Sequence, residues 1–425
     1  MQRCRILFVC HGHPRFQIGG AEIYAYNLFD AFRRREDFEA ILLARTLESG
    51  HQRWAGSPFR GVEGCSDEIL WFPAEYDDFL MTLPDKRQYF VHFRDLLGTL
   101  RPDVIHVQHS SGLGLGLVQT ARRVLPRIPI LYTLHEFLPI CRAEGLMIKT
   151  TGDALCEAAG PVECHGCFPA IGAAEFFLRE KLVKAHLEDV DLFLCPSRFL
   201  LERYVEWGIP RAKLCFLENG CAQRPVEIDD ADPPPNSSFG FFGQMSRHKG
   251  VLVLLEAVKI LLDSRLEDFH VYLNGGNIEQ QPTVFRTRVA ELLQTCRNNV
   301  TVLGRYQSED LRDRMREVAW VVMPSIWWEN SPLVIQEAFS HRRPVICSDI
   351  GGMAEKVKHN VDGLHFSMGN PASLAQTMRK AATSPDLWRR LQASVPKPYS
   401  LTEAVDAHAE IYRTLVRDPE PARAV

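Results

Sequence analysis

The feature that most constrains this chain is the return, again and again, of a short and almost wholly apolar run. The first half carries "RILFVC" (5–10), "EAILLAR" (39–45), "DVIHVQH" (103–109), "PILYTLHE" (129–136), "LFLCPS" (192–197) and "LCFLENG" (214–220). Runs without polar alternate positions must be buried on both faces, as in a parallel sheet covered by helices on both sides. Helical patterns lie between most of them. In "GAEIYAYNLFDAFRRR" (20–35), a helix puts Ile23, Tyr24, Leu28, Ala31 and Phe32 on one face, and its Arg33–Arg35 end reads as solvated. The pattern pauses at the acidic, Pro-rich "EIDDADPPPNSS" (227–238), which reads as a linker. It restarts with "FGFFGQ" (239–244), "FHVYLNGG" (269–276), "NVTVLG" (299–304), "AWVVMPS" (319–325) and "PVICSDI" (344–350). The spacing predicts two doubly wound α/β domains in series, with ligands at the carboxyl ends of their strands.

Composition agrees with that frame. A chain of 425 residues is too long for one compact core, and 46% hydrophobic with 24% charged residues excludes disorder and fibre. With 49 basic and 53 acidic side chains the net charge is -4, so no global field favours nucleic acid. The apolar run Ile6–Cys10 is too short for a secretory signal, and no run of about 18 apolar residues occurs. A cytoplasmic protein is expected. Its 12 cysteines then read mostly as free thiols, with Cys4, Cys10, Cys195, Cys215 and Cys347 as small core residues.

Four stretches carry chemistry. In "FFGQMSRHKG" (241–250) a strand ends at Gly243 and a helix starts near Lys249, so helix-start amides and a lysine offer a diphosphate site. In "SIWWENSPLVIQEAF" (325–339) Ser331 is a candidate cap and Pro332 suits a first turn, which would turn the amides of Leu333 and Val334 toward a ligand. Glu329 stands at that helix mouth. Glu337, eight residues on, falls about 80° further round at roughly 100° per residue, so the two carboxylates are expected on similar sides. Glu337 lies among Val334, Ile335, Ala338 and Phe339, where a carboxylate needs strong donors, such as the paired hydroxyls of a ribose; otherwise it is an exposed helix charge. In the first half, "PRFQIGGAEIY" (14–24) puts Gly19 and Gly20 in a loop before a helix, where backbone can approach a ligand. "YTLHE" (132–136) ends a strand on His135, which is a ligand-facing residue or a structural one.

Taken in this order, the Gly-Gly loop, strand-end His, Gly-x5-Lys-Gly loop and Glu-x7-Glu segment resemble the GT4-type glycosyltransferases of group 1. So do "CPSRFLLERYVEWGIPRAKLCFLENG" (195–220) and "SDIGGMAEKVKHNVDGLHF" (348–366). The likeness runs along nearly the whole chain. It implies the GT-B fold, an α/β architecture of two doubly wound, Rossmann-like parallel-sheet domains facing across a cleft. The first would span 1–222, with a C-terminal helix at about 398–418 packing back on it, and the second 223–397. It implies a retaining hexosyltransferase that uses a UDP- or GDP-linked sugar without a catalytic cofactor or metal. His135, Lys249 and Glu329 would be catalytic. The donor would meet Gly19, Gly20, Gln244, Arg247, Lys249, Arg305, Glu329, Asn330, Ser331, Pro332, Leu333, Val334 and Glu337, with Glu337 on the ribose and the base near "LGRY" (303–306). The family usually has Arg directly after the loop glycine; here it is Gln244, and Arg247 is the candidate replacement. Two other readings stand beside this one: a GT-B UDP-sugar isomerase, and a catalytically inactive nucleotide-sugar-binding module.

Outside this core, "ICRAEGLMIKTTGDALCEAAGPVECHGCF" (140–168) holds Cys141, Cys156, Cys164 and Cys167. Four thiolates in one loop suit a tetrahedral structural zinc or, less readily, an iron–sulfur cluster; the alternative is free thiols. The loops 46–85 and 137–170 are expected to shape the pocket for an acceptor, a glycan, lipid-linked saccharide or small molecule. Arg33–Arg35 with Arg122 and Arg123 could touch anionic lipid at an inner membrane face or be merely solvated. Asp189 and Asp191 precede a strand rather than follow one, which reads as turn placement rather than a metal-binding Asp-x-Asp.

Overall fold

The computed structural model describes residues 3–16, 19–46, 57–73, 75–152, 154–223 and 235–417. Most of the expected linker, 227–234, and part of the acceptor loop, 47–56, lie outside the described residues. The chain forms two compact units, 1–220 together with 401–425, and 221–400.

The first unit is built on an eight-stranded sheet of β1 (Cys4–Cys10), β2 (Phe38–Arg45), β3 (Phe59–Gly61), β4 (Glu68–Trp71), β5 (Val104–Val107), β6 (Ile130–Thr133), β7 (Leu192–Cys195) and β8 (Leu214–Phe216). Their order is β3-β4-β2-β1-β5-β6-β7-β8, and all pairings are parallel except β3 with β4. Side chains alternate across the sheet. Ile6 and Phe8 join Leu42, Val104 and Leu131 on one face, under the helix Gly20–Arg33. The final helix, Leu401–Arg417, packs on the same face through Val405, Ala409 and Tyr412.

Two details of the first helix differ from expectation. Glu22 and Phe29 are buried, while Ile23 and Ala31 are only half-buried. The terminal arginines are spent on ion pairs: Arg33 with Asp30, Asp67 and Glu68, Arg34 with Asp30, and Arg35 with Asp37 and Asp406. Arg122 is likewise used internally, reaching Asp191 at 2.7 Å and the carbonyls of Pro126, Ile128 and Asp189. Asp191 also takes the amide of Ile130, so it fastens a strand end.

The second unit has six strands: β9 (Ser238–Phe242), β10 (His270–Asn274), β11 (Val300–Gly304), β12 (Trp320–Met323), β13 (Val345–Ser348) and β14 (Gly363–Phe366). They are all parallel, in the order β11-β10-β9-β12-β13-β14. Phe239, Phe241, Trp320 and Val322 enter one apolar layer, and Phe242, Val321 and Met323 the other. The two-sided apolar strands are thus covered by helices on both faces. No helix of the described residues is long and apolar enough to cross a membrane.

In each sheet the strand order reverses once, between β1 and β5 and between β9 and β12. Loops leaving the carboxyl ends there diverge and open a crevice.

Tyr412 ties the final helix to the first sheet. Its ring lies 5.3 Å from Phe32 and 6.4 Å from Phe38, and its hydroxyl meets His106 Nδ1 at 2.6 Å. Tyr412→Ala should lower the unfolding free energy of the first unit by about 3–5 kcal/mol, read from denaturant titration.

Candidate functional site

In the second unit the expected residues collect on loops that leave the strand ends. After β9, the loop from Gly243 carries Gln244 and Arg247, both exposed, and then Lys249. Gly250 caps the helix Val251–Asp263 with φ +74. A Cβ on Gly250 would stand 1.7 Å from the carbonyl oxygen of Pro324, just beyond β12. Glycine therefore does two things here: it accepts left-handed backbone and lets the loops after β9 and β12 touch.

That contact sets up the centre of the site. Glu329 is 4% exposed, and its Oε1 accepts from Lys249 Nζ at 2.6 Å, Ser325 Oγ at 2.8 Å and Trp327 Nε1 at 2.9 Å. Lys249 also lies 5.3 Å from the Trp327 ring centre. The ammonium is held in a fixed place while part of it stays open to solvent. The Glu329 carbonyl accepts from Gly352 at 2.7 Å. A Cβ at Gly352 would meet the Asn330 carbonyl oxygen at 1.7 Å, so the Glu329–Asn330 turn also requires glycine beside it.

The next helix runs Leu333–Ser340 with Pro332 as its N-cap. Two expectations are corrected. Ser331 does not cap it: no side-chain cap bond forms, and its buried Oγ meets no partner among the described residues. Glu329 does not share a helical wheel with Glu337, because the chain before Pro332 is an irregular turn. The amides of Leu333 and Val334 do open the helix, where geometry leaves the first turn without intrahelical acceptors.

Glu337 is half-buried and lies near Tyr306 and Cys221. Among the described residues no donor reaches it. Burial alone pushes its pKa up to about 7. Arg305 points elsewhere, pairing with Glu279 at 2.5 Å.

The first unit has its own polar cluster at the ends of β1, β5 and β6. Gly19 is the N-cap of its helix, with Gly20 the first helical residue. Glu22 folds back beside Gly19, where a Cβ would meet its Oε2 at 2.5 Å, and pairs with His11 Nε2 at 3.0 Å. His11 stacks on His109 with ring centres 3.8 Å apart, and His109 Nε2 reaches Glu136 Oε1 at 3.2 Å. Burial and His109 favour a neutral His11, but its contacts with Cys10 and Glu22 hold its pKa above the ordinary value. His135 lies beside this pair. Burial, with His109 and His11 adding repulsion, lowers its pKa to about 3, so it is a neutral imidazole. Its Nε2 meets Gln108 Oε1 at 3.1 Å. Sequence reading missed His11, Glu22, Gln108, His109 and Glu136. The signal for one was there: Gln108 follows directly on a strand whose residues are apolar apart from His106, two positions before it.

Of the two readings of the four-cysteine loop, the metal site is not formed among the described residues. None of the four is in a disulfide, and no group of three or more His, Cys, Asp or Glu among the described residues could hold a metal ion. The backbone serves these sulfurs instead: Cys156 Sγ donates to the Ala158 carbonyl at 3.3 Å. Burial raises the Cys141 thiol to about 11 and raises Cys156 and Cys164 as well, which keeps them protonated.

With this geometry in view, comparison with known proteins identifies the class. Residues 18–222 match the family model described as Glycosyltransferase Family 4, and residues 236–384 the model described as Glycosyl transferases group 1. The fold is that of the GT-B glycosyltransferases, and the chain belongs to the group 1 glycosyltransferase family. An uncharacterized glycosyltransferase of Methanocaldococcus jannaschii is 25% identical over 230 residues, 53% of this chain and 60% of that protein. A D-inositol 3-phosphate glycosyltransferase of Streptomyces scabiei is 29% identical over 190 residues, 42% of this chain and 41% of that protein. The chain thus spans less than two thirds of these relatives' own lengths. Among solved structures, Anabaena HepE in complex with UDP and glucose superposes with a TM-score of 0.66 at 16% identity, over 97% of this chain and all of that one.

Gly250→Ala tests the contact that joins the two loops. It combines strained backbone with a clash on the Pro324 carbonyl, so it should destabilise the second unit by about 2–4 kcal/mol, measured by urea unfolding.

Proposed function

We propose that the protein is a retaining glycosyltransferase that moves a sugar from a UDP- or GDP-linked donor to an acceptor hydroxyl without a metal. The observation that carries this is Glu337: a half-buried carboxyl group, with no donor of its own among the described residues and a pKa pushed up to about 7. The two adjacent hydroxyls of a ribose would supply the two missing donors. Lys249 stands at the start of the helix that follows the Gly243 loop, as a leaving diphosphate requires.

Glycosyl transfer passes through an oxocarbenium-like state with negative charge growing on the departing diphosphate. A cation fixed in advance stabilises that charge without moving when it forms. Glu329 fixes the cation. Its Oε1 is filled by three donors, which leaves Oε2 to accept from a donor-sugar hydroxyl. The open amides of Leu333 and Val334 suit phosphate or hydroxyl oxygens. Neutral His135, at the end of β6 in the first unit, is suited to accept a hydroxyl proton in a hydrogen bond rather than to carry charge. Exposed Gln244 and Arg247 flank the diphosphate loop, and Arg247 is the candidate second cation. The named relative's use of inositol phosphate makes small polyol phosphates and sugar-bearing acceptors the first to try.

A thermal-shift panel of UDP, GDP and ADP with their sugars identifies the base. A ligand at a hundredfold excess over its Kd should add about 3 kcal/mol of stability. If no nucleotide or nucleotide-sugar shifts the transition, the reading fails.

Lys249→Ala should lower kcat/KM by roughly a hundredfold while leaving the unfolding transition of the second unit nearly in place. Unchanged kcat/KM would remove this residue from the reaction.

Glu337 gives a pH test. Its folded pKa lies above the ordinary 4.5, so the folded state binds the proton more tightly than the unfolded one. The stability this contributes is present below about 4.5 and is lost as pH rises toward about 7. A ribose diol needs the carboxylate. Affinity for UDP-glucose, whose phosphates do not titrate here, should therefore rise by at most about tenfold per pH unit up to about pH 7 and then level off. Calorimetry near neutral pH should detect proton release on binding. Glu337→Gln should flatten the pH profile, weaken binding, and stabilise the ligand-free protein at pH 8.

A further inference from the structure

We propose that Gln108 is a positioning residue that fixes His135 in the tautomer with its proton on Nε2, and that His106 and Tyr412 in turn fix Gln108. The inference rests on the proposed role of His135 in glycosyl transfer.

The four side chains form one line through the first unit. Tyr412, on the final helix, meets His106 Nδ1 at 2.6 Å, and the other ring nitrogen of His106 meets Thr133 Oγ1 at 2.7 Å. The Gln108 amide nitrogen lies 3.1 Å from His106 Nε2 and 3.3 Å from its Nδ1, so it rests against the ring. At the other end of the same amide, Oε1 meets His135 Nε2 at 3.1 Å. Gln108 and His106 are fully buried, and the Gln108 backbone amide is fastened to the Val9 carbonyl at 2.7 Å.

The orientation of the amide follows from charge. Burial, with His408 and His135 nearby, keeps His106 neutral. An amide NH2 is attracted to the electrons of a neutral imidazole, whereas an amide oxygen there would face them and be repelled. Gln108 must then turn its oxygen to His135. That oxygen can only accept, so His135 Nε2 must donate. A neutral imidazole has one N–H, which leaves the lone pair on Nδ1. The tautomer of His135 is thereby set by a residue that is itself fully buried.

The test uses the full-length chain labelled with 15N-histidine. The His135 signals are assigned by comparison with His135→Asn, and nitrogen shifts report which ring nitrogen is protonated. The wild-type protein should show the Nε2–H form alone. Gln108→Leu removes the acceptor and should give a mixture or the Nδ1–H form. Gln108→Glu keeps an acceptor and should retain Nε2–H. With the donor identified by the thermal-shift panel, Gln108→Leu should lower kcat about tenfold or more, with donor Kd within about twofold. An Nδ1–H form in the wild-type protein overturns the proposal, and that spectrum decides even if Gln108→Leu fails to fold. Retention of Nε2–H in Gln108→Leu, or a changed tautomer with unchanged kcat, also overturns it. If the tautomers behave as expected but the wild-type protein transfers no sugar, the proposed function fails while the positioning stands.

Discussion

Parallel pairing in the middle of each sheet governs most of what surrounds it. β1 lies between β2 and β5, and β9 between β10 and β12, so their backbones are fully paired and both their faces must be covered by helices. The faces are then closed to polar chemistry. What remains open is the carboxyl end, where neighbouring strands hand their loops to helices on opposite sides. The clusters proposed for the reaction sit at such ends: Lys249 and Glu329 after β9 and β12, and His11, His109 and His135 after β1, β5 and β6. The same topology, used twice, supplies a cation held by a carboxylate in one unit and a set of neutral and paired imidazoles in the other.

The two glutamates of the second unit divide the electrostatic work. Glu329 is saturated with donors, and so it acts as a fixed counter-charge that keeps Lys249 aimed. Glu337 has no such donors among the described residues, and partial burial pushes its pKa up to about 7. The contrast is set by eight residues of chain: an irregular turn brings Ser325 and Trp327 round Glu329, whereas a helix holds Glu337 near Tyr306 and Cys221.

Much of this architecture was legible because it depends on local pattern. The two-sided apolar runs located most strands to within a few residues. The strands that were missed lack that signature. Phe59–Gly61 is a three-residue antiparallel edge with little buried surface. Glu68–Trp71 begins with a charge that is buried only because His13, Tyr26 and Arg33 reach it from 35 to 55 positions away. Gly363–Phe366 begins with a glycine whose Cβ would meet the Val345 carbonyl oxygen at 2.2 Å, a close approach that no local pattern announces. In the site, the presence of Glu329 and Glu337 was readable but their geometry was not, since helical spacing was extended through Pro332 into a turn. The cysteine cluster was ambiguous for the opposite reason: spacing left four metal ligands and free thiols both open, while the fold brings no three such ligands together among the described residues. The line from Tyr412 to His135 joins residues 277 positions apart and could only come from the folded chain.

The placement of the final helix has a consequence for how the protein is made. Tyr412, Val405 and Ala409 complete the apolar layer that begins with Ile6 and Phe8, yet they leave the ribosome only after the whole of residues 221–400. Residues 221–400 form a compact unit whose strands and covering helices all come from that one continuous stretch, so it can close as soon as it emerges. The half synthesised first must instead wait, with one face of its sheet uncovered, through the manufacture of the half that follows. During that interval Phe32, Phe38 and His106 are the surface that chaperones would meet, and a ribosome that stalled before codon 401 would release a chain whose second half is sound and whose first half is not.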